Sequence, residues 1–169
     1  MALNARWKPD EVLAAAVRSE IDAADFYGGL LGRVKNVLLR KKLEFLALEE
    51  KKHRQILERL HAQRFPGVKL KVPGEAVRRR PAARLEETSS VLDLFKAALR
   101  AEKAAETYYR EARGRMNDAG SRQILEYLSR VERSHYAIIR SEIDLLSRFP
   151  DYYDVEDFHL GEDLFHVGP

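Results

Sequence analysis

The chain has 169 residues, a length that fits one domain with a buried core, and 34% of them are charged. It has no cysteine, which excludes disulfides, thiol catalysis and cysteine-held iron–sulfur clusters. The formal charge of +3 is small, and no apolar run reaches the roughly 18 residues that a membrane span requires. We therefore expect a soluble, cytoplasmic, helical protein without a membrane partner.

The first half of the chain predicts a helical hairpin. A proline followed by two acidic residues suits a first helical turn, and the apolar spacing after it predicts a helix over about residues 9–35. The same spacing resumes over about residues 37–63, and the short connection makes the two helices antiparallel neighbours. The buried stripe of the first helix contains one charged residue, Glu20. The stripe of the second contains Glu50 and His53.

The second half predicts another hairpin after a long connection. Residues 64–89 contain three prolines, two glycines and most of the excess basic charge, so they form a crossover loop. We interpret this basic loop as a solvated connection and not as a nucleic-acid contact, because no aromatic residues alternate with its charges. Helices follow over about residues 90–116 and 121–148. The acidic, aromatic tail 149–169 should lie against the bundle or a second subunit.

The two hairpins are an internal duplication with an offset of 82 residues. Without a gap, residues 11–57 align with residues 93–139, and about fifteen of the 47 pairs are identical. The identical pairs include both Glu-x-x-His motifs, Glu50 with His53 and Glu132 with His135. Register kept across a helix, a turn and a second helix indicates that one hairpin is used twice.

The four helical stripes bring six chemically important side chains to the middle of the bundle: Glu20, Glu50, His53, Glu102, Glu132 and His135. A buried polar network of tyrosines and water is the simpler explanation. Four buried carboxylates would then bind protons or repel one another, at a cost of several kcal/mol each. Two divalent ions would cancel the four charges instead, so we favour a site for two metal ions.

Oxygen ligands with one imidazole for each ion suit iron or manganese, and zinc or cobalt can fill the same site. In this prediction each ion has one histidine and one terminal carboxylate, from Glu20 or Glu102. Glu50 and Glu132 bridge the two ions.

The segments E-I-D-A-A-D-F-Y, L-E-E-K-K-H, A-E-K-A-A-E-T-Y-Y and V-E-R-S-H carry this ligand set. Over about residues 10–147 the chain resembles the rubrerythrin branch of the ferritin-like di-iron and di-manganese carboxylate proteins. The resemblance implies an all-α, ferritin-like four-helix bundle, two bound iron ions and a homodimer. It also implies that Tyr27 and Tyr109 hydrogen-bond the bridging carboxylates.

The sequence departs from the rubrerythrin pattern in two ways. Rubrerythrins have a rubredoxin domain with four cysteines, whereas these 169 residues contain none, so an external electron donor is needed. Rubrerythrins also have an extra glutamate three residues after the third-helix ligand, where this chain has Ala105. Glu106 is the next residue, and its partner in the repeat is Ala24. We predict that Glu106 approaches a metal or its open coordination position and assists proton or redox chemistry.

Three functions are compatible with these observations. The first is a rubrerythrin-like oxidoreductase that reduces peroxide or oxygen. The second is a ferroxidase, or an iron storage or delivery protein, that uses the same site. The third is an interaction protein in which the metal ions only stabilise the bundle.

Overall fold

The computed structural model describes residues 7–74 and 90–149, and these residues form four α-helices and no strand. The helices are α1 (Pro9–Leu31), α2 (Val37–Arg64), α3 (Val91–Arg113) and α4 (Ala119–Arg148). Helix α1 packs along α2 and α3 packs along α4, whereas the two hairpins touch each other much less. The all-α bundle predicted from the sequence is confirmed. None of these helices is long and apolar enough to cross a membrane.

The helix bounds repeat with the same offset as the sequence. Helices α1 and α3 both have 23 residues, and their first residues, Pro9 and Val91, lie 82 positions apart. Helices α2 and α4 begin at Val37 and Ala119, which are also 82 positions apart. The two copies of the sequence therefore fold into the same hairpin.

Side-chain caps determine where three of the helices begin. Asn36, Ser90 and Asp118 each accept a hydrogen bond from the backbone amide three residues later, at 3.1, 3.1 and 2.8 Å. Each bond satisfies one of the amide groups that have no partner in a first helical turn. Because Asp118 is the cap, α4 begins at Ala119, two residues before the predicted start.

Helices α1 and α3 end earlier than predicted. Their last residues, Leu31 and Arg113, come directly before Gly32 and Gly114, which occupy equivalent positions in the repeat. Glycine is unfavourable inside a helix, so the same physical cause ends both α1 and α3. The predicted helices were too long because the apolar pattern continues past these glycines. Val34 and Met116 belong to that pattern, and they are buried although they lie after the helix ends.

The core consists of two apolar clusters, one toward each end of the bundle. One cluster includes Val17, Leu57, Ala112 and Leu125, and the other includes Leu30, Leu43, Ala98 and Ile139. In every helix the predicted Glu and His positions lie between the two clusters along the chain. The fold therefore places a polar layer between two apolar layers.

The first part of the predicted crossover continues this packing. Phe65, Leu70 and Val72 follow α2 and are partly buried against the first apolar cluster. The remainder of the crossover, residues 75–89, lies outside the described residues, as do residues 150–169 of the predicted tail.

Candidate metal centre

All six predicted ligands lie in the polar layer, and each helix contributes one or two of them from near its middle. Helix α1 contributes Glu20, α3 contributes Glu102, and α2 and α4 each contribute a Glu-x-x-His pair. Residues three apart on a helix lie on the same face, so each pair points into the bundle. All six residues are buried, with at most 2% of their surface exposed: Glu20, Glu50, His53, Glu102, Glu132 and His135.

The six residues form two groups that share two members. The first group is Glu20, Glu50, His53 and Glu132, and the second is Glu50, Glu102, Glu132 and His135. Within each group, one potential ligand atom from every residue lies within 4.8 Å of the others. Glu50 and Glu132 belong to both groups, whereas each group has its own histidine and its own third carboxylate. This arrangement can hold two ions with two bridging carboxylates.

Several polar atoms of the six residues lie close together without forming hydrogen bonds to one another. His53 Nδ1 lies 3.1 Å from Glu132 Oε1 and 3.3 Å from oxygens of both Glu20 and Glu50. His135 Nδ1 lies 3.2 Å from Glu50 Oε1. Both Nδ1 atoms, with one oxygen each of Glu20, Glu50 and Glu132, are buried and have no hydrogen-bond partner.

Such atoms are rare in native proteins, and a bound ion is one of the few explanations for a whole group of them. The donor set, carboxylate oxygens with one imidazole nitrogen per group, suits iron or manganese. The residues therefore fit two divalent ions. That these residues bind metal stays a prediction.

Burial and mutual repulsion shift the pKa values of the cluster. Burial, followed by the charge of Glu50, raises the pKa of Glu20 to about 8. The same two causes, with Glu20 in addition, raise the pKa of Glu132 well above its usual range. Burial lowers the pKa of His135, but Glu102 and Glu50 beside it raise it more, to about 9. Without metal, the layer therefore holds protons at neutral pH.

Two tyrosines join the hairpins at this layer. The Tyr27 hydroxyl on α1 donates a hydrogen bond to Glu102 on α3, and the Tyr109 hydroxyl on α3 donates one to Glu20 on α1. The prediction that they bond the bridging carboxylates is wrong, because each tyrosine reaches across to the carboxylate that belongs to one group only. The contact lies between α1 and α3, so it closes that side of the layer.

Glu106 is buried, but the structure does not bring it to the six-residue cluster. Its Oε1 accepts hydrogen bonds from Arg133 at 2.8 and 3.0 Å, and its Oε2 lies 2.7 Å from Lys103 Nζ. Lys103 and Arg133 hold the pKa of Glu106 below its usual range. Glu106 therefore pairs with Lys103 and Arg133 and does not approach the six candidate ligands. A catalytic role requires it to leave these partners, and that role stays a prediction.

Sequence analysis missed Glu49. One of its oxygens and one ring nitrogen each of His53 and His135 lie within 4.8 Å of one another. The residue lies beside the apolar stripe of α2, and its partner in the repeat is Val131, so neither periodicity nor the duplication indicates it. The double acidic sequence Glu49–Glu50 is the only signal available.

Four helices with a layer of four glutamates and two histidines define a ferritin-like carboxylate bundle. The sequence matches the rubrerythrin family over residues 11–143. The chain therefore belongs to the rubrerythrin family, and the resemblance found in its motifs is confirmed.

Solved structures with the same fold include two hypothetical proteins and a catalase. The protein from Pyrococcus furiosus is 32% identical, with a TM-score of 0.74 over 86% of this chain and 94% of that chain. The conserved protein from Mycobacterium tuberculosis is 15% identical, with a TM-score of 0.64 over 80% and 90%. KatB, a manganese catalase from Anabaena, is 20% identical, with a TM-score of 0.67 over 95% and 84%. No curated protein matches the chain.

Proposed function

We propose that the chain binds two iron ions and uses them to reduce peroxide or oxygen with electrons from an external donor. The observation that carries this proposal is the pair of overlapping groups, which share Glu50 and Glu132 and contain buried atoms without hydrogen-bond partners. Membership of the rubrerythrin family supports it.

The protein residues hold, orient and insulate the site. Glu20 with His53 would hold one ion and Glu102 with His135 the other, while the tyrosine hydroxyls fix the orientation of Glu102 and Glu20. The apolar clusters on either side keep bulk water away from the layer. When bound, two ferrous ions would supply two electrons to one peroxide, which with two protons becomes two waters.

The electron donor must lie outside these 169 residues. They contain no cysteine, so they cannot hold the iron–sulfur centre that feeds electrons to rubrerythrins proper. A small external reductant or a redox partner protein would return the ions to the ferrous state. Manganese suits the same ligands, and zinc would bind without redox activity.

The test is anaerobic reconstitution with Fe(II), followed by separate challenge with oxygen and with peroxide. We expect two ions per chain and faster oxidation by peroxide, with turnover once a reductant is supplied. Rapid oxidation by oxygen alone, followed by release of Fe(III), would favour a ferroxidase that delivers iron. Two ions that bind and raise the melting temperature without reacting would favour an interaction protein that the metal only stabilises.

We also propose that the chain forms a homodimer through the outer face of α2. Leu38, Phe45 and Leu48 on this helix are about half exposed, and they lie near one another at helical spacing. Light scattering should give the mass of a dimer, and Phe45→Asp should give that of a monomer. Phe45→Tyr is the matched control. A parent chain that is monomeric at micromolar concentration would contradict the proposal.

A further inference from the structure

The two histidines have one ring nitrogen each that the carboxylate layer does not use. Their Nδ1 atoms face the carboxylates, at 3.1 Å from Glu132 for His53 and at 3.2 Å from Glu50 for His135. Their Nε2 atoms are also buried and have no hydrogen-bond partner. The rings are nearly parallel, with an interplanar angle of 17° and centroids 5.4 Å apart.

The state of Nε2 follows from the proposed metal centre, on which this inference rests. A neutral imidazole that binds a metal through Nδ1 carries its proton on Nε2, which is then a hydrogen-bond donor. Histidine ligands in proteins almost always donate this proton to a carboxylate, a carbonyl or a water, and the partner fixes the orientation of the ring. His53 and His135 therefore both require an acceptor on the side away from the ions.

Among the residues that the structure describes, Glu49 is an acidic residue outside the six-residue cluster that lies next to both rings. One of its oxygens and one ring nitrogen of each histidine lie within 4.8 Å of one another, a separation that one bridging water spans with two ordinary hydrogen bonds of about 2.8 Å each. Its side chain is 19% exposed, so it reaches water on one side and the histidines on the other. Lys52 Nζ lies 2.6 Å from Glu49 Oε1 and holds the carboxylate near the helix surface.

We propose that Glu49 is a positioning residue that accepts the Nε2–H of His53 and His135, directly or through one water. One carboxylate would then orient one ligand of each ion, from the side of the layer between α2 and α4. The tyrosines orient Glu20 and Glu102 from the side between α1 and α3. The second hairpin has no counterpart, because Val131 occupies the equivalent position.

The experiment titrates metal-free protein with Co(II), which gives a visible absorption spectrum when it is bound by imidazole and carboxylate. Glu49→Ala should weaken binding of both ions by about 10-fold to 100-fold, the usual effect of losing such a partner. Glu49→Gln should recover part of this loss, because an amide oxygen still accepts from Nε2–H. The matched control is Glu44→Ala, which removes an exposed carboxylate from the same helix and should bind Co(II) like the parent.

A second readout separates positioning from general stability. In the Co(II)-loaded parent, the imidazole N–H protons should give shifted NMR signals that exchange slowly with water, and Glu49→Ala should make that exchange faster. The inference is overturned if Glu49→Ala binds Co(II) with parent affinity and unchanged exchange. It is also overturned if the parent binds a third ion that this variant loses, since Glu49 would then be a ligand. A parent that binds no Co(II) would contradict the metal centre itself.

Discussion

The two hairpins repeat the same candidate ligands, but in each of them a carboxylate within four residues of a ligand has no acidic counterpart in the other. The α1–α2 hairpin has Glu49 where the α3–α4 hairpin has Val131. The α3–α4 hairpin has Glu106 where the α1–α2 hairpin has Ala24. Duplication therefore explains the two overlapping groups of candidate ligands, and Glu49 and Glu106 are positions where the two halves differ.

The shared ligands give the largest expected effect. Glu50 and Glu132 are equivalent in the repeat and belong to both groups. Glu50→Ala and Glu132→Ala should therefore each lower the affinity for both ions by more than about 100-fold. Glu20→Ala should remove mainly the ion that it shares with His53. Metal analysis after reconstitution and gel filtration measures the difference, with Glu44→Ala as control. A variant of Glu132 that keeps two ions per chain would contradict the bridging assignment.

Metal removal should destabilise both hairpins together, in a way that depends on pH. The pKa of Glu20 is about 8 in the fold, against 4.5 for an ordinary glutamate, and that of His135 is about 9, against 6.5. Because both are raised, their stabilisation is complete below the unfolded pKa and is lost as pH rises through the folded one. The melting temperature of the metal-free protein should therefore fall between about pH 5 and pH 9, on the order of 10 °C.

Thermal unfolding with and without chelator measures this effect. Ions that bind only the folded state displace the protons, so the loaded protein should melt higher and lose little stability toward pH 8. A metal-free protein that melts at the same temperature at pH 5 and pH 8 would show that the carboxylates do not take up protons as their pKa values require.

The sequence predicted most of the fold and the six candidate ligands because both depend on local spacing. A period of 3.6 residues decides which side chains share a helix face, and the 82-residue offset checks each position against a second copy. The predicted C-terminal end of α1 was wrong because Val34 continues the apolar pattern past Gly32. The contacts of Tyr27 with Glu102 and of Glu106 with Arg133 were not predictable, since each joins two helices and depends on how the helices pack.

Substitutions of Tyr27 and Tyr109 test whether the two hairpins are equivalent at the candidate metal centre. Tyr27→Phe should lower the affinity for the ion held by Glu102 by about 10-fold. Tyr109→Phe should lower the affinity for the ion held by Glu20 by about the same factor. Equal effects on different ions would support the twofold arrangement, and two Co(II) titrations measure them. The control is Tyr108→Phe, because this buried hydroxyl donates to the carbonyl oxygen of Val12 at 2.7 Å and touches no ligand. A similar loss of affinity in that control would indicate a general effect of packing.

Glu106→Ala has the smallest expected effect and decides what the second departure from the repeat does. Lys103 and Arg133 are mostly exposed, so each regains water when the carboxylate is removed, and the loss should be about 1 kcal/mol. The melting temperature should then fall by about 3 °C while both ions remain bound. Arg133→Ala should cause a smaller fall, because the ion pair between Glu106 and Lys103 remains. Stopped-flow oxidation of the di-iron protein by peroxide adds the functional test. If the carboxylate leaves Arg133 to act at the ions, Glu106→Ala should slow this step at least about tenfold and Arg133→Ala should not. Equal rates in both variants and the parent would leave Glu106 as an ion-pair partner that joins α3 to α4.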